Sequence, residues 1–162
     1  MSTFVDPEWV EPGVKAPDFT LVSDSGEKVK LSSLRGKPVV LYFYPKDDTP
    51  GCTKQACAFR DDSKKLARHG AVVLGVSPDD VERHQRFKAK YKLDFPLLCD
   101  TDHAVATKYG AWRTKTLYGK KSVGIQRSTF VIGADGAVAK TWKRVQVEGH
   151  AAQVLAALGE LG

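Results

Sequence analysis

The strongest strand signal in the chain is Pro38-Val39-Val40-Leu41-Tyr42-Phe43-Tyr44, a nearly continuous apolar and aromatic run. A half-exposed strand alternates apolar and polar residues. A run without alternation therefore predicts a strand covered on both faces, as in a sheet with helices on each side. Ala71 to Val76 is a second run of the buried type, and Phe95 to Cys99 reads as a third strand. Between the first two, the period changes. Thr49-Pro50 supplies a capping hydroxyl and a proline suited to the first helical position. Cys52, Ala56, Phe59, Ser63 and Leu66 then fall at steps of four and three, on one face of a helix that Gly70 closes. Ser77-Pro78-Asp79-Asp80 opens a second helix reaching to Tyr91, and His103 to Tyr109 reads as a short third.

Turn signals organise the two ends. Asp18 to Val22 and Lys28 to Leu31 flank Asp24-Ser25-Gly26 and predict an N-terminal β-hairpin. Arg127 to Ile132 and Ala137 to Trp142 flank Asp135-Gly136 as another hairpin, and Glu148 to Leu161 has the Ala/Leu content of a terminal helix. The order β-α-β-α-β-α-β-β-α predicts a layered α/β domain, a mixed β-sheet flanked by helices with the last pair antiparallel. No repeat or long linker divides the chain. Residues 1–162 read as one domain, with 1–12 as an extended lead-in containing Pro7 and Pro12.

Composition narrows the function classes. With 162 residues, 42% hydrophobic and 27% charged, the chain can fill a core without disulfide staples or a structural metal. No apolar run approaches the ~20 residues of a membrane span. The first segment carries acidic residues and prolines and no apolar h-region, so no secretory signal is expected. Three cysteines argue against an extracellular disulfide framework and predict a reducing, cytoplasmic setting. The net charge of +6 permits nucleic-acid binding, but the basic residues are scattered. Their densest stretch, Arg83 to Lys92, reads as a solvated helix face, without zinc-finger spacing or an aromatic RNA-binding motif. His69, His84, His103 and His150 show no paired ligand spacing. The expectation is no membrane, no nucleic acid, no metal and no other cofactor.

Chemistry concentrates in Tyr42-Phe43-Tyr44-Pro45-Lys46-Asp47-Asp48-Thr49-Pro50-Gly51-Cys52-Thr53-Lys54-Gln55-Ala56-Cys57. Cys52 follows the proline that starts a helix, where unpaired backbone N–H groups favour thiolate over thiol. A free thiol with pKa about 8.5 is only ~3% ionised at pH 7, and bringing such a pKa to about 6 takes roughly 3.4 kcal/mol. A helix terminus supplies ~0.3–1, at best ~2 kcal/mol. A nearby cation must supply the rest. Arg127, at the base of the apolar strand Ser128 to Ile132, suits that role, because its forked donors could hold a thiolate and orient an oxygen-rich substrate. The competing reading is a strand-end arginine in a surface ion pair.

Cys57 lies five residues after Cys52. On an intact α-helix that offset is ~140° of rotation and ~7.5 Å of rise, roughly 8.6 Å between Cα atoms. Disulfides need less than about 7 Å. A resting disulfide is therefore excluded if the segment is helical, while a transient redox bond and a small filler role both stay open. Cys99, in Pro96-Leu97-Leu98-Cys99-Asp100, reads as a buried strand-end thiol, with a resolving role as the alternative.

The segment lacks Cys-x-x-Cys but strongly resembles the peroxiredoxins, whose Pro-x-x-x-Thr-x-x-Cys pattern stands here as Pro45, Thr49 and Cys52. Pro-Gly-Cys-Thr-x-x-Ala-Cys resembles the bacterioferritin-comigratory or Q-type subfamily. Ala16-Pro17-Asp18-Phe19, Trp112 with Tyr118-Gly119-Lys120, and Arg127 to Ile132 extend the likeness over residues 13–160. The resemblance implies a thioredoxin-like fold and reduction of hydrogen peroxide and organic hydroperoxides. It makes Cys52 the peroxidatic nucleophile, with Arg127 and Thr49 polarising the peroxide and Pro45 shielding the sulfur from water. Cys57 would resolve the sulfenic acid as an intramolecular disulfide, thioredoxin would re-reduce it, and the subfamily favours a monomer. Gln55 stands where many members carry Glu, and Gly133 where Asp is common. Two other readings remain in view: a one-cysteine peroxidase recycled by an external thiol, and a basic, non-catalytic nucleic-acid-binding or holdase protein.

Overall fold

The computed structural model describes residues 4–161. The chain runs β1 (Thr20–Ser23), β2 (Lys28–Lys30), a 3-10 turn at Leu31–Leu34, β3 (Val39–Phe43), α1 (Pro50–Asp61) and α2 (Ser63–Arg68). It continues through β4 (Val72–Ser77), α3 (Val81–Tyr91), β5 (Leu97–Cys99) and α4 (Ala104–Tyr109) to β6 (Trp112–Leu117) and β7 (Lys120–Ile125). Strands β8 (Ser128–Ile132) and β9 (Val138–Trp142) and helix α5 (His150–Glu160) complete it. Seven strands form one sheet in the order β2-β1-β5-β4-β3-β8-β9, with β3, β4 and β5 parallel and the remaining pairings antiparallel. This is the expected mixed sheet with its N-terminal hairpin.

Every side chain of β3 is buried, as the unalternated pattern requires. The pleat sends Val39, Leu41 and Phe43 into one core, with Val76, Tyr109 and Phe130. Val40, Tyr42 and Tyr44 enter the other, with Cys52, Ala56, Phe59, Phe87 and Val154. Phe59, only 1% exposed, contributes roughly 1.5–3 kcal/mol by burial and fixes the middle of α1 against Tyr42. The reactive segment is thus the strand-to-helix turn after the C-terminal end of β3, held from below by aromatic packing.

Two expectations need correction. The helix drawn from Thr49 to Gly70 breaks at Asp62, whose ψ of 13° ends α1 before α2 restarts at Ser63. Short polar side chains such as Asp62-Ser63 favour caps over helix interiors. Gly70, at φ +70°, does close α2. The antiparallel pair β6–β7, outside the main sheet, was not expected at all. Its turn residues Tyr118 and Gly119 both take positive φ, the primed hairpin geometry that Asn-Gly normally announces. Tyr in the first position hides the signal. Lead-in residues Asp6 to Trp9 lie against this hairpin, where Asp6 Oδ1 accepts from the Thr114 amide at 2.8 Å and Trp9 lies under the Arg113 guanidinium.

Candidate active site

Pro50, Gly51 and Cys52 form the first turn of α1, where backbone amides lack intrahelical partners. Thr49 occupies the N-cap position, but its hydroxyl makes no capping bond. It turns back instead and donates to the Lys46 carbonyl at 2.9 Å. This corrects the expected cap. Closing the loop on Lys46 leaves the first-turn amides uncapped by any side chain, and so available to an anion.

Arg127 meets Cys52 directly. Its Nη2 lies 3.2 Å from Cys52 Sγ, and its Nη1 donates to Gln55 Oε1 at 2.6 Å. Cys52 and Gln55 are both 2% exposed, so this contact is sheltered from water, and the surface ion-pair reading of Arg127 is set aside. The arginine's backbone is braced on both sides. Val145 N donates to its carbonyl at 3.0 Å, and Gln126 N donates to the Ala111 carbonyl at 2.7 Å. Gly51 has a packing role the sequence did not disclose: a Cβ there would stand 3.0 Å from Arg127 Nη2, so its missing side chain admits the guanidinium.

Gln55 answers part of what its departure from Glu raised. The amide oxygen still orients Arg127, but without a charge to compete with the sulfur for the guanidinium. Its Nε2 is buried and lacks a hydrogen-bond partner, as does the Tyr42 hydroxyl. Replacing Gln55 with Glu should strengthen the Arg127 contact by about 1 kcal/mol and draw it from Cys52. Iodoacetamide alkylation of Cys52 at pH 7 should slow about fivefold. An unchanged rate would mean that the missing carboxylate has no bearing on the thiol.

Lys115 is a second cation that the sequence reading missed. Its Nζ donates to the Ile125 carbonyl at 2.6 Å. Burial, then the like charge of Arg127, lowers its pKa against the pull of Cys52. With Pro45, Pro78, Trp112 and Ile125 it borders an open cleft of about 370 Å³. Pro45, half-buried at the end of β3, thus forms part of the cleft wall.

Cys57 lies half-buried in the unbroken α1, and all three cysteines are free thiols. Cys99 ends β5 as expected but is half-buried rather than buried; burial, then the charges of Asp80, Asp47, Asp24 and Asp79, pushes its pKa to about 11. Three acid and imidazole groups, Asp47, Asp79 and His84, converge closely enough to suggest a cation site. Their own donors occupy them instead. Tyr44 and His84 donate to Asp47, while Ser77 and the Asp47 amide donate to Asp79. Neither His84 nor Asp47 was picked out as functional from the sequence.

Residues 12–141 match the AhpC/TSA family. A putative peroxiredoxin Bcp of Coxiella burnetii is 52% identical over 149 residues, covering 92% of this chain and 99% of the relative. Peroxiredoxin Bcp of Bacillus subtilis is 49% identical over 152 residues, covering 94% and 97%. Among solved structures, the bacterioferritin comigratory protein of Xanthomonas campestris, studied for its alkyl peroxide reduction activity, superposes with a TM-score of 0.87 at 38% identity. That match covers 93% of this chain and 98% of the other. The layered sheet is therefore the thioredoxin-like fold. With a buried cysteine at a helix start under an arginine, the chain belongs to the AhpC/TSA family and is a peroxiredoxin of the Bcp and Q type, a thiol peroxidase.

Proposed function

We propose that Cys52 is the peroxidatic nucleophile for hydrogen peroxide and organic hydroperoxides, and that Cys57 resolves the oxidised sulfur. One observation carries the reading: the 3.2 Å contact between Arg127 Nη2 and Cys52 Sγ at an uncapped helix start. The thiolate attacks one peroxide oxygen, the O–O bond breaks, and the leaving oxygen departs as water or an alcohol after taking a proton. Arg127 holds the sulfur and the developing negative charge. Thr49, its proton committed to the Lys46 carbonyl, offers lone pairs to the peroxide O–H and fixes its direction. Pro45 keeps water from the sulfur, and the apolar side of the adjoining cleft suits an organic substituent.

The sulfenic acid then condenses with the Cys57 thiol, releasing water and leaving an intramolecular disulfide. A thioredoxin-type dithiol returns both electrons. The enzyme works as a cytoplasmic, single-domain monomer with no metal or organic cofactor. Among the described residues, no helix is long and apolar enough to cross a membrane.

A second reading has an observation of its own. The continuous α1 keeps the two cysteines in one helix, so an external thiol reducing Cys52 directly needs no rearrangement. Mass mapping after one equivalent of peroxide separates the two. The first gives a Cys52–Cys57 linked peptide, the second a sulfenic or mixed-disulfide Cys52. Cys52→Ser should abolish peroxide consumption under either.

A further inference from the structure

His84 is fully buried, and both of its ring nitrogens face acceptors. Nδ1 lies 2.6 Å from Asp47 Oδ2, and Nε2 lies 2.9 Å from the Leu98 carbonyl. A neutral imidazole has one N–H and satisfies only one of them; the imidazolium satisfies both. Asp47 belongs to the loop between β3 and α1 that carries Pro45 and Thr49. That loop is pinned at three further points: Tyr44 Oη donates to Asp47 Oδ1 at 2.6 Å, the Asp47 amide donates to Asp79 Oδ2, and Asp48 accepts from Lys90 and Tyr91. Asp48 is held there in a left-handed conformation, φ +57°, which costs on the order of 1 kcal/mol or more without such contacts.

We propose that His84 is a positioning residue which, as a buried imidazolium, holds the 45–49 loop in the form that presents Cys52 to peroxide. Releasing it lets the loop leave that form, as disulfide closure requires. The closure part rests on the Cys52–Cys57 cycle proposed above; the attack part does not.

The surrounding charges agree. Asp47 and Asp79 face His84, and Arg83 pairs with Asp79 only at its outer side, 3.6 Å away. Tyr44, just past β3, and Cys99, at the end of β5, are held neutral, their pKa values raised mainly by burial. Farther out, Asp24 is paired with Lys88, and Asp80 caps α3 through the Arg83 amide. Burial alone would lower the pKa of His84, but the Asp47 bond and charge, the Leu98 carbonyl and Asp79 outweigh it and raise it above 6.5. A raised folded-state pKa gives stabilisation that is complete below the unfolded value and is lost as pH rises through the folded one. The latch therefore loosens toward alkaline pH.

Nitrogen-resolved NMR of the reduced wild-type protein tests the proton count without mutation. Both His84 nitrogens should show N–H at pH 6, and they should titrate above free histidine. A single neutral tautomer at pH 6 would overturn the proposal. Rapid-mixing kinetics test the consequence. His84→Gln sets an amide oxygen against one of the two acceptors, so at pH 6 peroxide attack should slow and the ratio of disulfide closure to attack should rise by about tenfold. The wild type should approach that ratio as pH rises, while His84→Gln stays flat; Asp47→Asn should behave like His84→Gln. A variant with wild-type ratio and pH profile, whatever its melting temperature, would reduce His84 to a packing residue. If mass mapping finds no Cys52–Cys57 bond, the closure reading fails, yet the attack rate and the NMR still decide the latch.

Discussion

Arg127→Ala lowers the second-order rate of Cys52 with peroxide by about 10²-fold, the usual cost of removing one preorganised donor from developing negative charge. The geometry leaves no substitute. Arg127 Nη2 is the side-chain donor 3.2 Å from Cys52 Sγ, while Lys115 is committed to the Ile125 carbonyl and Thr49 to the Lys46 carbonyl. Iodoacetamide alkylation at pH 7 should fall about tenfold as well, because the sulfur loses the charged donor 3.2 Å away that favours its reactive form. Arg127→Lys should recover only part of both rates. An ammonium keeps the charge but cannot span Cys52 and Gln55 with a rigid fork. Gly51→Ala should give a milder version of the same defect, since its Cβ would crowd Nη2 at 3.0 Å. Stopped-flow oxidation across these three variants, with folding checked by thermal melts, measures the series. An Arg127→Ala protein that reacts within threefold of wild type would remove the arginine from the mechanism.

What was legible in the sequence was whatever a short window contains. The run at Val39–Phe43 is apolar throughout because both faces are covered, and it was read as such. Pro50 and the spacing of Cys52, Ala56 and Phe59 located the head of α1 and its buried face. The three omissions share a different cause. β6–β7 carries Lys, Arg and Thr on a largely exposed surface and turns at Tyr118-Gly119, so neither period nor turn residues announce it. His84 sits within a basic stretch that reads as solvated, and most of it is, but His84 and Phe87 alone turn inward. Its partner Asp47 is 37 residues away in sequence. Lys115 likewise acquires its role from Ile125 and Arg127 across a hairpin that had not been recognised. Long-range polar pairing has no local period, so it appears only once the sheet order is known. The resemblance to a family supplied Arg127's part in advance, and the structure adds the contact distance, the Gln55 brace and the space left by Gly51.

Cys57→Ser leaves one oxidation per chain intact but abolishes thioredoxin-linked cycling, and it over-oxidises sooner because no internal thiol traps the sulfenate. Cys99→Ser should cycle nearly as wild type, its thiol being raised to about 11 and seated on β5. A stalled Cys99→Ser with a cycling Cys57→Ser would reverse the assignment. In the proposed Cys52–Cys57 cycle, closure has a structural consequence. A gap of roughly 8.6 Å between Cα atoms must shrink by about 2–3 Å, so the first turns of α1 must unwind in every cycle. Gly51 and Thr53 are weak helix formers, and the first turn is uncapped by any side chain, so the cost there is low. The limit lies on the far side, where Phe59 packs on Tyr42 while Arg60 donates to the Tyr91 carbonyl at 2.7 Å. The break at Asp62 already separates α2, whose Leu66 remains in the core. Amide hydrogen exchange should therefore rise on oxidation between Thr49 and Phe59 while α2 keeps its protection. Unchanged exchange there, in a sample whose Cys52–Cys57 bond has been proven by mass, would sink the unwinding step, because an intact helix cannot bring those sulfurs together.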